Sequence, residues 1–126
     1  MGEKDIGYFR FVIYNFPLFV LMPEKQKNSI SASDFKKKFE SKKPPQILDI
    51  RTDEEFEDFN FGGTHILFEN LLEDLLQIEF LKNKSAIIIC YTGLQSEIAR
   101  KILAKKGYNK MLNLKGGVEA YLGLQV

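Results

Sequence analysis

The chain has 126 residues and one cysteine, Cys90, placed where an apolar run gives way to a short loop and an amphipathic helix in "AIIICYTGLQSEIARKILAKKG". The residues that follow, Tyr91, Thr92, Gly93, Leu94, Gln95 and Ser96, read as a tight strand-to-helix loop. Gly93 permits the positive φ that such a loop often requires. Successive backbone N–H groups in a loop of this kind can converge into an anion-binding nest. The positive end of the following helix dipole adds to it, and both favour thiolate, the nucleophilic form, over thiol. The hydroxyls of Thr92 and Ser96 are placed to donate to the same anion. A cysteine that only closes a buried strand fits the same residues, because free cysteine is among the most buried residue types. The residue types alone leave nucleophile and packing residue equally open.

Other chemistries find less support. One cysteine and one histidine, His65, far apart in sequence, do not make the usual ligand set of a metal, so neither metal nor cofactor is expected. His65 follows the Gly62-Gly63 turn and reads as a surface or packing residue. A single cysteine allows no internal disulfide, which suits a reducing compartment and hence the cytoplasm. The net charge is +1, and the lysines at 36–38 and 42–43 are offset by Asp53, Glu54, Glu55, Glu57 and Asp58. These are solvated faces, and no nucleic acid or anionic membrane is expected as a partner.

The elements that must position Cys90 alternate along the chain. "SASDFKKKFES" carries capping serines, Ser31 and Ser33, then Phe35 and Phe39 one turn apart, a short helix stopped by Pro44-Pro45. "QILDI" is a buried strand ending at Arg51-Thr52, and "TDEEFEDF" a helical turn capped by Thr52 or Asp53. "HILF" is a short strand. "NLLEDLLQIEFL" is predicted to be a helix with Leu71, Leu72, Leu75 and Leu76 facing inward. "SAIIIC" lacks polar alternation, as in a parallel strand covered on both faces. Ile98, Ala99, Ile102 and Leu103 repeat at helical spacing, and Gly107 fits the position just past the helix end. "KMLNL" is a further strand, followed by a Gly116-Gly117 turn and a closing helix in "VEAYLGL". Such alternation predicts an α/β sandwich with a parallel sheet. Ligands of such sheets bind outside the carboxyl ends of the strands, the edge at which Cys90 lies.

The chain divides into an apolar arm and polar linker over residues 1–28 and a domain over residues 29–126. "YFRFVIYNFPLFVLMP" is interrupted by Arg10, Asn15 and Pro17 and falls short of the ~20 apolar residues of a spanning helix. "MGEKD" lacks a basic leader, so the arm is expected to pack on the domain or on a second copy in a homodimer, and not to insert in lipid.

From Ile30 to Tyr121 the chain resembles the rhodanese family of single-domain sulfurtransferases. "ISASDF" is similar to the family's opening strand and helix, and "ILDIRTDEEFE" to its Asp-x-Arg-x-x-x-Glu-[Phe/Tyr] segment, with Asp49, Arg51, Glu55 and Phe56 in place. "FNFGGTHILFENL" is similar to the variant with Asn-x-Gly-Gly. "IIICYTGLQS" is similar to the loop Cys-x-x-Gly-x-[Arg]-Ser, and "GYNKMLNLKGGVEAY" to the closing segment, with Tyr121 in place of the usual Trp. The resemblance implies a rhodanese-like three-layer sandwich, a central parallel sheet flanked by helices. It further implies that Cys90 carries sulfane sulfur as a persulfide, cradled by the amides of Tyr91 to Ser96. The sulfur would pass from thiosulfate or a small-molecule or protein persulfide to a thiol or cyanide. Asp49, Arg51, Glu55 and Arg100 are expected to support the site, with Arg51 bracing the strand edge by pairing with a carboxylate such as Glu55.

Two loop positions depart from the family pattern. Gln95 stands where many members carry arginine, and Tyr91 replaces a charged residue. Gln cannot supply the paired charged hydrogen bonds of a guanidinium, so thiosulfate binding is expected to be weak unless Arg100 folds back to replace it. Phosphatases of the broader fold have a loop one residue longer that ends in arginine, and this loop has none. An arsenate reductase would need a resolving cysteine. A non-catalytic module that binds a protein partner through the loop or the arm is the alternative to a sulfurtransferase.

Overall fold

The structure, a computed structural model, describes residues 28–124. Residues 1–27, which hold the apolar arm and its expected dimer contact, lie outside the described residues. The elements are β1 (Ser29–Ile30), α1 (Ala32–Phe39), β2 (Gln46–Asp49), α2 (Asp53–Asp58) and β3 (Thr64–His65), then two 3-10 segments (Phe68–Asn70 and Leu75–Leu81). They continue as β4 (Ala86–Ile89), α3 (Leu94–Ala104), β5 (Met111–Leu114) and α4 (Gly117–Gly123). All strand pairs are parallel, in the order β1-β5-β4-β2-β3. The expected α/β sandwich is therefore present.

β4 lies between β2 and β5, and its four residues are all buried. Strand alternation sends Ala86 and Ile88, with Cys90 beyond them, into a cluster with Ala99 and Leu103 of α3 and Ile78 and Leu81. Ile87 and Ile89 enter a second cluster with Ile30, Phe35, Phe61, Leu114, Val118 and Tyr121. An apolar run without alternation is thus two interleaved core faces. Phe35, Phe59, Phe61 and Tyr121 pack mostly edge to face in and around the second cluster, as ring quadrupoles favour.

Local signals account for the element ends. Ser31 accepts the Asp34 N–H at 3.1 Å to start α1. Thr52 and Glu55 form a reciprocal capping box at the start of α2, so Thr52 is the cap and Asp53 is not. The segment after β3 departs from the expected α-helix. Leu71 is buried, but Leu72 and Leu76 are exposed (53% and 88%). The chain from Leu75 to Leu81 winds with three residues per turn, so Leu75, Ile78 and Leu81 share the inward face. Ile98 of α3 is likewise half-exposed, while Ala99 and Leu103 fill the core.

Candidate active site

Cys90 follows the last residue of β4 at the carboxyl edge of the sheet. The chain turns through Tyr91 and Thr92 to Gly93, which caps α3 with φ +91°. This turn brings the Gly93 N–H to 3.0 Å and the Ser96 N–H to 3.3 Å from Cys90 Sγ. Two backbone donors and the first turn of an eleven-residue helix therefore converge on the sulfur. Of the loop amides from Tyr91 to Ser96, those of Gly93 and Ser96 point at the sulfur.

The hydroxyls act differently from the expectation. Thr92 Oγ1 accepts the Leu94 N–H at 3.4 Å. Ser96 Oγ lies 3.2 Å from the sulfur but donates its hydrogen to Asn113 Oδ1. Asn113 Nδ2 in turn donates to the Gly93 carbonyl at 3.2 Å, which sets the orientation of the amide. Ser96 has one hydroxyl hydrogen, and that hydrogen is used, so its oxygen presents a lone pair to Sγ. Asn113 escaped the sequence reading. The signal was a single polar residue inside "MLNL", on the strand paired with β4.

Cys90 is buried, with 2% of its surface exposed, so access to it is narrower than an open strand edge implies. Access runs through a pocket of about 300 Å³ lined by Ile50, Arg51, Thr52, Glu55, Phe68, Glu69, Cys90, Tyr91, Thr92 and Gln95. Tyr91, Thr92 and Gln95 thus form the mouth, Gly93 and Ser96 hold the sulfur from below, and Leu94 faces away with 73% exposure. Two larger cavities, of about 470 and 710 Å³, lie near β1 and do not reach Cys90. Glu69 and Phe68 joined the pocket without any sequence signal.

Arg51 is buried, and its carboxylate partner is Asp49, not Glu55. Its Nε and Nη2 donate to the two Asp49 carboxylate oxygens at 2.9 and 2.8 Å. Nη1 donates to the Glu55 carbonyl at 3.2 Å and Nη2 to the Phe59 carbonyl at 2.6 Å. Residues two apart at a strand end share a face, which places Asp49 beside Arg51. The Glu55 carboxylate is occupied elsewhere, accepting the Thr52 N–H at 3.2 Å. His65 has the expected packing role, with its ring stacked on Phe56 at 4.2 Å and Nε2 at 2.8 Å from the Arg51 carbonyl. Arg100 does not fold back on the loop. It makes a two-pronged contact with Glu97 at 2.9 and 2.8 Å and lines the 470 Å³ cavity. That pairing holds the Glu97 carboxyl below its ordinary range.

The first turn of α4 clamps the loop from behind. The Val118 N–H donates to the Cys90 carbonyl at 3.1 Å and the Glu119 N–H to the Tyr91 carbonyl at 2.9 Å. The approach is so close that a Cβ on Gly117 would lie 2.2 Å from the Tyr91 oxygen and 2.5 Å from the Cys90 oxygen.

The family model for the rhodanese-like domain matches residues 31–124. The chain belongs to the rhodanese-like domain family. Among curated relatives of this rhodanese-like chain is YrkF, a candidate sulfur carrier protein of Bacillus subtilis (strain 168). It is 32% identical over 95 residues, and the match covers 75% of this chain but only 50% of YrkF. The thiosulfate sulfurtransferase GlpE of Shewanella oneidensis is 30% identical over 80 residues, covering 63% of this chain and 77% of GlpE. A crystal structure of a rhodanese-like domain protein from Staphylococcus aureus superposes with a TM-score of 0.66 at 30% identity, covering 75% of this chain and 90% of that one. Among the described residues of this rhodanese-like chain, no helix is long and apolar enough to cross a membrane.

Proposed function

We propose that the protein is a sulfurtransferase in which Cys90 carries sulfane sulfur as a persulfide. The Cys90 thiolate attacks the outer sulfur of a donor, thiosulfate or a persulfide. The donor S–S bond breaks, a new S–S bond forms on Sγ, and sulfite or a thiolate departs with the bonding pair. An acceptor thiol or cyanide then attacks the terminal sulfur, and Cys90 leaves as thiolate. Electrons balance within each exchange, so no external oxidant is needed. The observation that carries this reading is the convergence of the Gly93 and Ser96 N–H groups on Cys90 Sγ beneath a pocket. Such fixed donors stabilise sulfur anions without reorganisation. Tyr91, Thr92, Gln95 and Glu55 would contact the donor. Asp49 and Arg51 would hold the strand edge, and Arg100, paired with Glu97, would act only through α3. A lone thiol that cycles through a persulfide is suited to the cytoplasm.

A second reading, a protein-binding module, draws on Tyr91, Leu94 and Ile98, which are 43%, 73% and 50% exposed around the loop. Thiocyanate formation from cyanide, with thiosulfate or an uncharged alkyl persulfide as donor, separates the two. Turnover by the wild type that is lost in Cys90→Ser is expected. Equal background rates in the two proteins would favour the binding module.

A further inference from the structure

The charges at the mouth of the Cys90 pocket do not suit an anionic donor. Its lining side chains include one cation, Arg51, and two carboxylates, Glu55 and Glu69. Arg51 is already committed, since its guanidinium donates to both Asp49 oxygens and to the Glu55 and Phe59 carbonyls. Its charge is balanced by Asp49, which is fully buried and faces no solvent. Gln95, at the loop position suited to anion contact, is neutral. Arg100 turns away to Glu97. Among the described residues, Glu55 and Glu69 are therefore the uncompensated charges around the entrance. The Glu55 carboxylate accepts the Thr52 N–H at 3.2 Å, and Glu69 is exposed.

On the sulfur-transfer reading above, we propose that Glu55 and Glu69 select the charge of the exchanging partner. The favoured donor is a persulfide, and the favoured acceptor a thiol, that carries positive charge beside the reacting sulfur, as a thiol flanked by ammonium or guanidinium groups does. Dianions such as thiosulfate, and persulfides bearing a carboxylate, are disfavoured. The exchange is the one written above: the donor's S–S bond breaks, the Cys90 Sγ–S bond forms, and the donor leaves as its thiolate. A departing thiolate beside its own cation is also the better leaving group. Selection arises because both carboxylates line the pocket that holds the donor while its sulfur meets Sγ.

The test uses three ethyl persulfides that differ only in the terminal group: ammonium, hydroxyl and carboxylate. Rates of sulfur loading on Cys90 are followed by quenched intact-mass measurement on the full chain, in low and high salt. For carboxylates near the donor, one exposed and one half-buried, each contributes roughly twofold per unit of donor charge at low salt. The preference for the ammonium over the carboxylate persulfide, which differ by two charges, is then expected to fall about fourfold in Glu69→Gln and about fourfold in Glu55→Gln. Gln keeps the capping hydrogen bond to Thr52, so the second variant retains the start of α2. High salt should shrink the wild-type preference toward one. If all three persulfides load and the preference moves neither with salt nor in either variant, charge selection is wrong and sulfur transfer stands. If none loads the wild type, both readings fall together.

Discussion

Substituting Gly117 by alanine introduces two penalties that neighbouring glycines allow to be separated. The residue has φ +65°, and its new methyl would meet the Tyr91 and Cys90 carbonyl oxygens at 2.2 and 2.5 Å. A left-handed alanine costs about 1–2 kcal/mol. Forcing a methyl into closed space costs about 1–3 kcal/mol more, because the obstructing atoms are backbone and cannot rotate away. The sum is about 2–5 kcal/mol. Parting the two backbones also strains the bonds from Val118 and Glu119 to those carbonyls, so the peptide of the nucleophile itself moves. Gly62 shares the positive φ, +80°, but faces open space, and Gly123 has open space without a positive φ. Urea denaturation should therefore order the alanine variants with Gly123 least affected, Gly62 lower by about 1–2 kcal/mol, and Gly117 lowest. Sulfur loading of Cys90 should slow only in Gly117→Ala. A Gly117 variant as stable as the Gly62 variant, with unaltered loading, would refute the clamp.

Three further outcomes follow from the site. Gln95→Arg should raise kcat/KM for thiosulfate by roughly ten- to a hundredfold, the worth of about 1.5–3 kcal/mol of charge-assisted hydrogen bonding, in steady-state kinetics. Asn113→Ala strands the Gly93 carbonyl, so it should cost about 1–3 kcal/mol in urea denaturation. Because the freed hydroxyl can then donate to Sγ, Cys90 should react faster with an alkylating reagent at neutral pH. Arg100 holds the Glu97 carboxyl below its ordinary range, so the folded state binds that proton less readily than the unfolded chain. The stability from this pair is full above the unfolded carboxyl range and is lost as pH falls through the lower folded value. Denaturation midpoints of Glu97→Gln between neutral and acid pH should accordingly fall less steeply than those of the wild type.

Much of this architecture was legible because single residues had unambiguous physical meanings. "AIIIC" could only satisfy two apolar faces in the middle of a covered sheet, and Gly93 marked the left-handed turn that leads directly into α3. Thr52 and Asp53 both suited the cap of α2, and the reciprocal bonds with Glu55 select Thr52. The failures share a cause, which is competition for partners. The Leu75–Leu81 segment carries apolar residues at both three- and four-residue spacings, and the packing of Ile78 and Leu81 on β4 chose three. Arg51 had several carboxylates within reach in sequence, and only the strand geometry singles out Asp49. Ser96 looked like a donor to sulfur until Asn113, distant in sequence, took its hydrogen. Glu69 enters the pocket through the path of a 3-10 turn, which no residue pattern encodes.

The central claim is that the sulfur at the end of β4 exchanges sulfane sulfur, and intact mass before and after exposure to a donor tests it most directly. Wild-type protein incubated with the uncharged hydroxyethyl persulfide should gain the mass of one sulfur atom. Cyanide or dithiothreitol should remove it, and Cys90→Ser should gain nothing. Wild-type protein whose mass does not change, under conditions that fully load a thiosulfate sulfurtransferase run alongside, would contradict the claim.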